Sequence, residues 1–136
     1  MSHEVFVDAS AWIAVSDRRD RYHGEAKKAY QLLLGHRHTL VTTNLVVAEA
    51  YIVIRRTGGH AQAMRFLQSI RGSARLLKVY SEAQLESIAG EILGNYGDQD
   101  FSFADAVSFA VMQARGIKQA FTFDNHFATI GFQRLP

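Results

Sequence analysis

The run LVVAEAYIVI, residues 45–54, constrains the fold more than any other stretch. Nine of its ten side chains are apolar or small, and the tenth is the carboxylate of Glu49. A run this apolar belongs in a core. An ionised carboxylate there costs several kcal/mol unless it is paired or bound to a metal. Either Glu49 escapes to an edge, or a positive charge meets it. Asn44 precedes the run and is placed to cap a helix, and Gly58-Gly59 are placed to end it.

The segments around this helix alternate between two periodicities. Residues 4–8, EVFVD, read as a short buried strand ending on Asp8. ASAWIAV then starts a helix, with Ser10 placed to cap or turn. HGEAKKAYQLLLG is amphipathic, with Ala26, Ala29, Tyr30, Leu33 and Leu34 on one side and Gly35 as its stop. HTLVTT, residues 38–43, is the second strand, and it leads into the Glu49 helix. HAQAMRFLQSI turns Ala63, Phe66, Leu67 and Ile70 inward. RLLKVY, residues 75–80, is the third strand.

Ser81 is placed to cap the next helix and Ser102 the one after, where Asp105 follows its cap by three residues. QAFTFD, residues 119–124, is a fourth strand that also ends on an aspartate. NHFATIG reads as a short helix or turn, and FQRLP as a last edge strand. The alternation predicts one α/β domain over residues 1–136 with a mainly parallel sheet of four to five strands.

In such sheets ligands bind outside the carboxyl ends of the strands. Asp8 and Asp124 fall at that edge. Asp105 lies in the first turn, and Glu49 in the second turn, of helices that begin there. Each acid alone has a plain structural explanation. Asp8 and Asp124 suit strand-end turns, Asp105 suits a capping box with Ser102, and Glu49 suits a pair with Arg55 or Arg56. Together these explanations weaken. Asp105, like Glu49, is the sole charge in its apolar run, FSFADAVSFAVM. Four unpaired carboxylates at one edge repel each other, and a hard cation such as Mg²⁺ or Mn²⁺ with oxygen ligands removes the conflict.

Charge elsewhere agrees. Thirteen acids less these four leaves nine, against 15 basic residues. A basic surface around an acidic pocket suits a polyanion. Arg18, Arg19 and Arg21, with Arg55, Arg56 and His60, are candidates for holding a nucleic-acid backbone. The chemistry implied is metal-assisted phosphodiester hydrolysis. Two other classes compete. An aspartyl phosphatase could use Asp8, but DASA lacks the second aspartate two residues on that such enzymes commonly use as acid. The other is a non-catalytic module that binds RNA or a protein partner, and the four intact acids argue against it. The chain has no cysteine and no apolar run of transmembrane length. MSHEVFVD has no secretory character, and a cytoplasmic location is expected.

The acidic segments also resemble a family. EVFVDASAW resembles the opening strand and Asp-x-Ser of PIN domains. TTNLVVAEAYIVIRRTG resembles the family's helix with its central glutamate. DFSFADAVSFAVM and AFTFDNHF resemble the segments of the third and fourth acids. The four occur in the family's order and span residues 4–127. The resemblance implies a three-layer PIN-like fold with helices on both faces of the sheet. It implies an endoribonuclease using Mg²⁺ or Mn²⁺, with Asp8, Glu49, Asp105 and Asp124 as metal-binding catalytic acids. Ser10, Asn44 and Thr122 match supporting polar positions. Asp98 or Asp100 matches a further aspartate that many members carry before the third acid. The small size is typical of VapC-like toxins, which implies a homodimer inhibited by a small antitoxin. A PIN nuclease for RNA maturation is the alternative role. The aromatics Trp12, Phe101, Phe103, Phe109, Phe121, Phe123 and Phe127 are expected in the core, and His126 in a capping role.

Overall fold

The computed structural model describes residues 3–136. Among them, β1 (Glu4–Val7) leads into α1 (Ala9–Ser16) and α2 (His23–Gly35). Next come β2 (Thr39–Thr43), α3 (Asn44–Gly58) and α4 (His60–Gly72). Then follow β3 (Leu76–Val79), α5 (Ala83–Asn95) and α6 (Phe103–Arg115). The chain closes with β4 (Gln119–Phe121), α7 (His126–Thr129) and β5 (Gln133–Leu135). The five strands form one sheet in the order β3-β2-β1-β4-β5, and every pairing is parallel. The steps from β1 to β2 and from β2 to β3 move one way along the sheet. The step back to β4 and the step to β5 move the other way. Right-handed crossovers therefore put α1–α4 on one face and α5–α7 on the other.

The central strands are apolar nearly throughout because both faces are covered. Val5, Phe6, Val7, Leu40, Val41, Ala120 and Phe121 are all fully buried. Against the second face, Phe109 packs edge-on to Phe127 at 4.9 Å and to Phe101 at 5.1 Å. On the first face, the Trp12 indole donates to Thr42 Oγ1 at 3.3 Å, and Thr42 donates to the Val7 carbonyl at 2.9 Å. Trp12 is thereby tied to both central strands with its one donor satisfied. Phe103 departs from the expected core and is 44% exposed.

Several boundaries differ from those the sequence predicts. Strand β1 ends at Val7, and Asp8 is the N-cap residue of α1, so Ser10 lies inside the helix. Thr43, not Asn44, caps α3, accepting the Val46 N–H at 3.1 Å. The helix follows β2 without a loop, so the last strand residue does the capping. Ser81 does not cap α5. Its N–H donates to Asn44 Oδ1 at 2.8 Å, tying the start of α3 to the end of β3. Strand β4 stops at Phe121, three residues short of Asp124. Helix α3 buries only Val46, Val47, Ala50 and Ile54, and Glu49 is exposed. The carboxylate in the apolar run has escaped to an edge.

Phe109 is fully buried among three other aromatics. Phe109→Ala is expected to cost about 3–5 kcal/mol in urea unfolding. A loss under ~1 kcal/mol would mean that this cluster does not hold α6 to the sheet.

Candidate active site

The sheet order reverses at β1 and β4. From β1 the chain moves on to β2, and from β4 to β5 on the opposite side. The crevice outside the carboxyl ends of two such strands is where open α/β sheets bind ligands. Val7 is in register with Phe121, and the Asp8 N–H donates to the Phe121 carbonyl at 3.1 Å. Asp8 is therefore held beside Thr122.

Asp8 is 4% exposed. Its Oδ2 accepts from Thr122 Oγ1 at 2.9 Å and from Ser10 Oγ at 3.1 Å. The same hydroxyls order the loop after β4. Phe123 N–H donates to Ser10 Oγ and Asp124 N–H to Thr122 Oγ1, both at 3.0 Å. Two supporting residues read from the sequence are thus placed at the acid they support. Burial pushes the Asp8 carboxyl up to about 6, and the Asp105 charge adds to this. The hydrogen bonds from Thr122, the Ala9 backbone and Ser10 pull it down without cancelling burial.

Asp105 makes the capping box that its spacing predicts. Its Oδ2 accepts the Ser102 N–H at 3.0 Å, and its own N–H donates to Ser102 Oγ at 3.0 Å. The box does not remove Asp105 from the site. The same Oδ2 lies within hydrogen-bond distance of His126 Nδ1, at 2.9 Å. His126 Nδ1 is also 3.4 Å from Asp124 Oδ1. One ligand atom each from Asp105, Asp124 and His126 lies within 4.8 Å of the others. Burial lowers the His126 pKa, but the Asp105 hydrogen bond and the Asp124, Asp105 and Asp100 charges outweigh it and raise it. Asp100 is thus among the acids whose charge reaches His126.

Glu49 is open to solvent on the rim of α3, yet it belongs to the same field. Partial burial of its carboxyl end, with the charges of Asp8, Asp105 and Asp124, pushes it up to about 7. Solvent screens part of that repulsion. The four acids therefore converge, Glu49 from the outside.

The donor set fits a hard divalent cation. Chain hydrogen bonds use Asp105 Oδ2 and Asp124 Oδ1, and leave Asp105 Oδ1 and Asp124 Oδ2 free. No buried side-chain oxygen among the described residues lacks a partner, so these two face solvent. Free carboxylate oxygens beside acids pushed up by burial and by their neighbours' charges form a site that a cation relieves.

Other sequence candidates lie elsewhere. Asn44 serves Ser81 rather than an acid. Arg18 and Arg19 line a separate polar hollow of about 410 Å³ with Thr57, Gln62 and Arg65. Arg19 is held by Asp17 and by the Thr57 carbonyl. Arg55 bonds His60 at 2.6 Å, and with Arg56 it lies roughly 9 Å or more along the helix axis from Glu49. Of the five arginines only Arg21 is tied to the acid edge. Its guanidinium lies 4.5 Å over the Tyr22 ring, which stacks on Phe123 beside Asp124. His126 is the site residue that sequence reasoning missed. Its signal was its position two residues after Asp124, where its N–H is indeed capped by Asp124 Oδ1 at 2.9 Å.

The raised carboxyls have a thermodynamic consequence. Above about pH 5 the unfolded chain has lost protons that folded Asp8 and Glu49 still hold. Their contribution to stability is full at low pH and is lost as pH rises through about 6 and about 7. The raised His126 acts in the same direction. In EDTA, the melting temperature is expected to fall as pH rises from ~5 to ~7.5, and to fall less in the double variant Asp8→Asn, Glu49→Gln. Parallel profiles for the two proteins would contradict this.

Comparison with known proteins agrees with this geometry. The PIN domain profile matches residues 5–133. The 23S rRNA-specific endonuclease VapC20 of Mycobacterium tuberculosis is 36% identical over 128 residues, covering 94% of this chain and 95% of the relative. The crystal structure of that VapC20, described as a sarcin-ricin loop cleaving toxin, superposes with a TM-score of 0.85 over the same shares of the two chains. A toxin–antitoxin complex from Klebsiella pneumoniae shares the fold at a TM-score of 0.67 and 17% identity, covering 93% of this chain and 92% of that one. VapBC2 of Rickettsia felis, bound to a promoter DNA fragment, shares it at 0.70 and 15%, covering 96% of each. With the profile matching residues 5–133 and a relative at this identity over nearly its whole length, the chain belongs to the PIN domain family.

Proposed function

We propose that this chain is a metal-dependent endoribonuclease and the toxin of a toxin–antitoxin pair. The observation that carries the reading is the convergence of Asp8, Asp105, Asp124 and Glu49 at the switch point of the sheet. Kinship with an RNA endonuclease along nearly its whole length supports it.

Asp8, Glu49, Asp105 and Asp124 would hold Mg²⁺ or Mn²⁺. When bound, the cation supplies Lewis acidity to a phosphodiester and the water that attacks it. The chain's own residues prepare the site. Ser10 and Thr122 fix Asp8 Oδ2. Ser102 and His126 fix Asp105 Oδ2, so that its other oxygen points to the crevice. The Asp105 hydrogen bond, with the charges of Asp124, Asp105 and Asp100, favours the charged form of His126. Arg21 is the cation placed to hold a neighbouring phosphate.

The whole chain acts as one domain. It works as a homodimer in the cytoplasm, under control of a small antitoxin. Exposed Leu32 and Ile52 on α2 and α3 offer apolar surface for a second copy. Among the described residues no helix is long and apolar enough to cross a membrane. Because the VapC20 relative acts on 23S rRNA, ribosomal RNA is the first substrate to offer.

Purified wild type is expected to cleave ribosomal RNA with Mg²⁺ or Mn²⁺ and not in EDTA. Asp8→Asn is expected to lose at least ~10²-fold in rate while keeping its melting temperature within a few degrees. Full activity in that variant would sink the reading. His126→Ala removes a donor from Asp105 without removing an acid. It is expected to weaken Mn²⁺ binding by ~10–100-fold in a direct titration. Unchanged Mn²⁺ affinity would confine His126 to the turn.

A further inference from the structure

A cavity of about 450 Å³ opens directly beside the acids, sharing Ser10 and Asp124 with them. Its volume falls within the ~300–1,000 Å³ of small-ligand sites. We infer that it receives one unpaired nucleobase of the RNA, next to the phosphate presented to the acids. The inference takes its ligand class from the nuclease reading.

The wall of the cavity suits a flat ring. Tyr22 and Phe123 stack at 4.5 Å with their planes 9° apart, and Ile13 continues the surface. These residues come from α1, the loop before α2 and the loop after β4, so the wall is built across the switch point. Both rings are only half-buried, and they leave apolar surface in water beside a charged site. Covering that surface with a base is favourable, and stacking tolerates any base.

The rim argues against a phosphate in the same place. Asp20 and Asp124 line it, and both carboxylates repel an anion. A neutral base avoids that cost. Phosphate is met outside, at Arg21, whose guanidinium lies on the Tyr22 ring and donates to its hydroxyl.

The rim also offers a direction of reading. Asp20 Oδ1 accepts the Tyr22 N–H at 2.8 Å, which leaves Oδ2 as a free acceptor. Asn125 Oδ1 accepts from Arg134 at 2.6 Å, which orients its amide NH₂ as a free donor. A free acceptor on a carboxylate favours a base with an exocyclic amine and disfavours uracil, which has two carbonyls and one N–H.

The test reads binding, not cleavage. Asp8→Asn protein is titrated in Mg²⁺ into a short single-stranded RNA carrying one 2-aminopurine, and into the same RNA with uracil there. Binding is expected to quench the 2-aminopurine, and the uracil RNA to bind more weakly. Adding Phe123→Leu is expected to weaken binding about 10-fold or more and to abolish the quench. Adding Phe123→Tyr should keep both within ~3-fold. Asp20→Asn keeps the bond to Tyr22 through its Oδ1 and replaces the free acceptor with a donor, so the preference is expected to turn toward uracil. If Phe123→Leu lowers the melting temperature, the Asp20→Asn result decides. Equal affinity and quench in Phe123→Leu, or an unchanged base preference in Asp20→Asn, overturns the inference. A Phe123-dependent quench in a protein whose wild type cuts no RNA would sink the nuclease reading and keep the base site.

Discussion

Carboxylates gathered at one sheet edge repel each other, and the surrounding structure is arranged around that repulsion. Asp8 and Asp105 lie at helix N-termini, where the backbone presents positive ends. Asp8 takes two hydroxyl donors and Asp105 takes a backbone N–H and an imidazole. These contacts lower the cost of the charges without abolishing it. Asp8 still stands at about 6 and Glu49 at about 7, so the metal-free fold carries a residual strain. A cation bound at the free oxygens turns the same repulsion into attraction. The arrangement therefore favours binding at the expense of metal-free stability, a compromise common where a fold serves chemistry.

Much of this was legible in the sequence. The strands announce themselves as short apolar runs, and the acids stand where those runs end or where a cap begins a helix. Connectivity alone then brings them to one edge. What the sequence blurred is where each acid sits relative to its element. Asp124 is not the end of a strand. It follows a turn that Thr122 holds locally and Ser10 holds by hydrogen bonds spanning more than a hundred residues. Asn44 and Ser81, two residues that look like caps, cap nothing and bind each other. Glu49 could be read as buried or as escaping to an edge, because its run is apolar on every side. A helix on a three-layer fold buries one stripe, and the other stripe is left to solvent.

His126 and Arg21 were harder to read. A histidine in a turn carries no pattern of its own, and its role depends on Asp105 lying across the crevice. The arginines carried a pattern that does not fix their distance from the acids. Basic residues clustered in sequence at 18–21 and 55–56 suggested one surface. Helix length carries both clusters away from the acids, and Arg19 meets the end of α3 at the Thr57 carbonyl, because α1 and α3 both start at the acidic edge and run away from it. Their C-terminal arginines travel with them, and only Arg21, carried back by the loop, returns to the acids.

The position of Asp124 links charge and shape. It belongs to the acid cluster and to the rim of the aromatic cavity, and the loop that carries it also carries Phe123. Phe123 N–H is bonded to Ser10, and Ser10 is bonded to Asp8. A shift of that loop therefore moves the base wall and the metal acids together. Hydrolysis needs its reacting atoms placed to within a fraction of an ångström, and a base seated on Phe123 brings its phosphate into the cluster by the same bonds that set the acids. Backbone contacts alone hold any RNA, whatever its sequence. A wall coupled to the acids gives the site a means to act faster on the RNA whose base fits it.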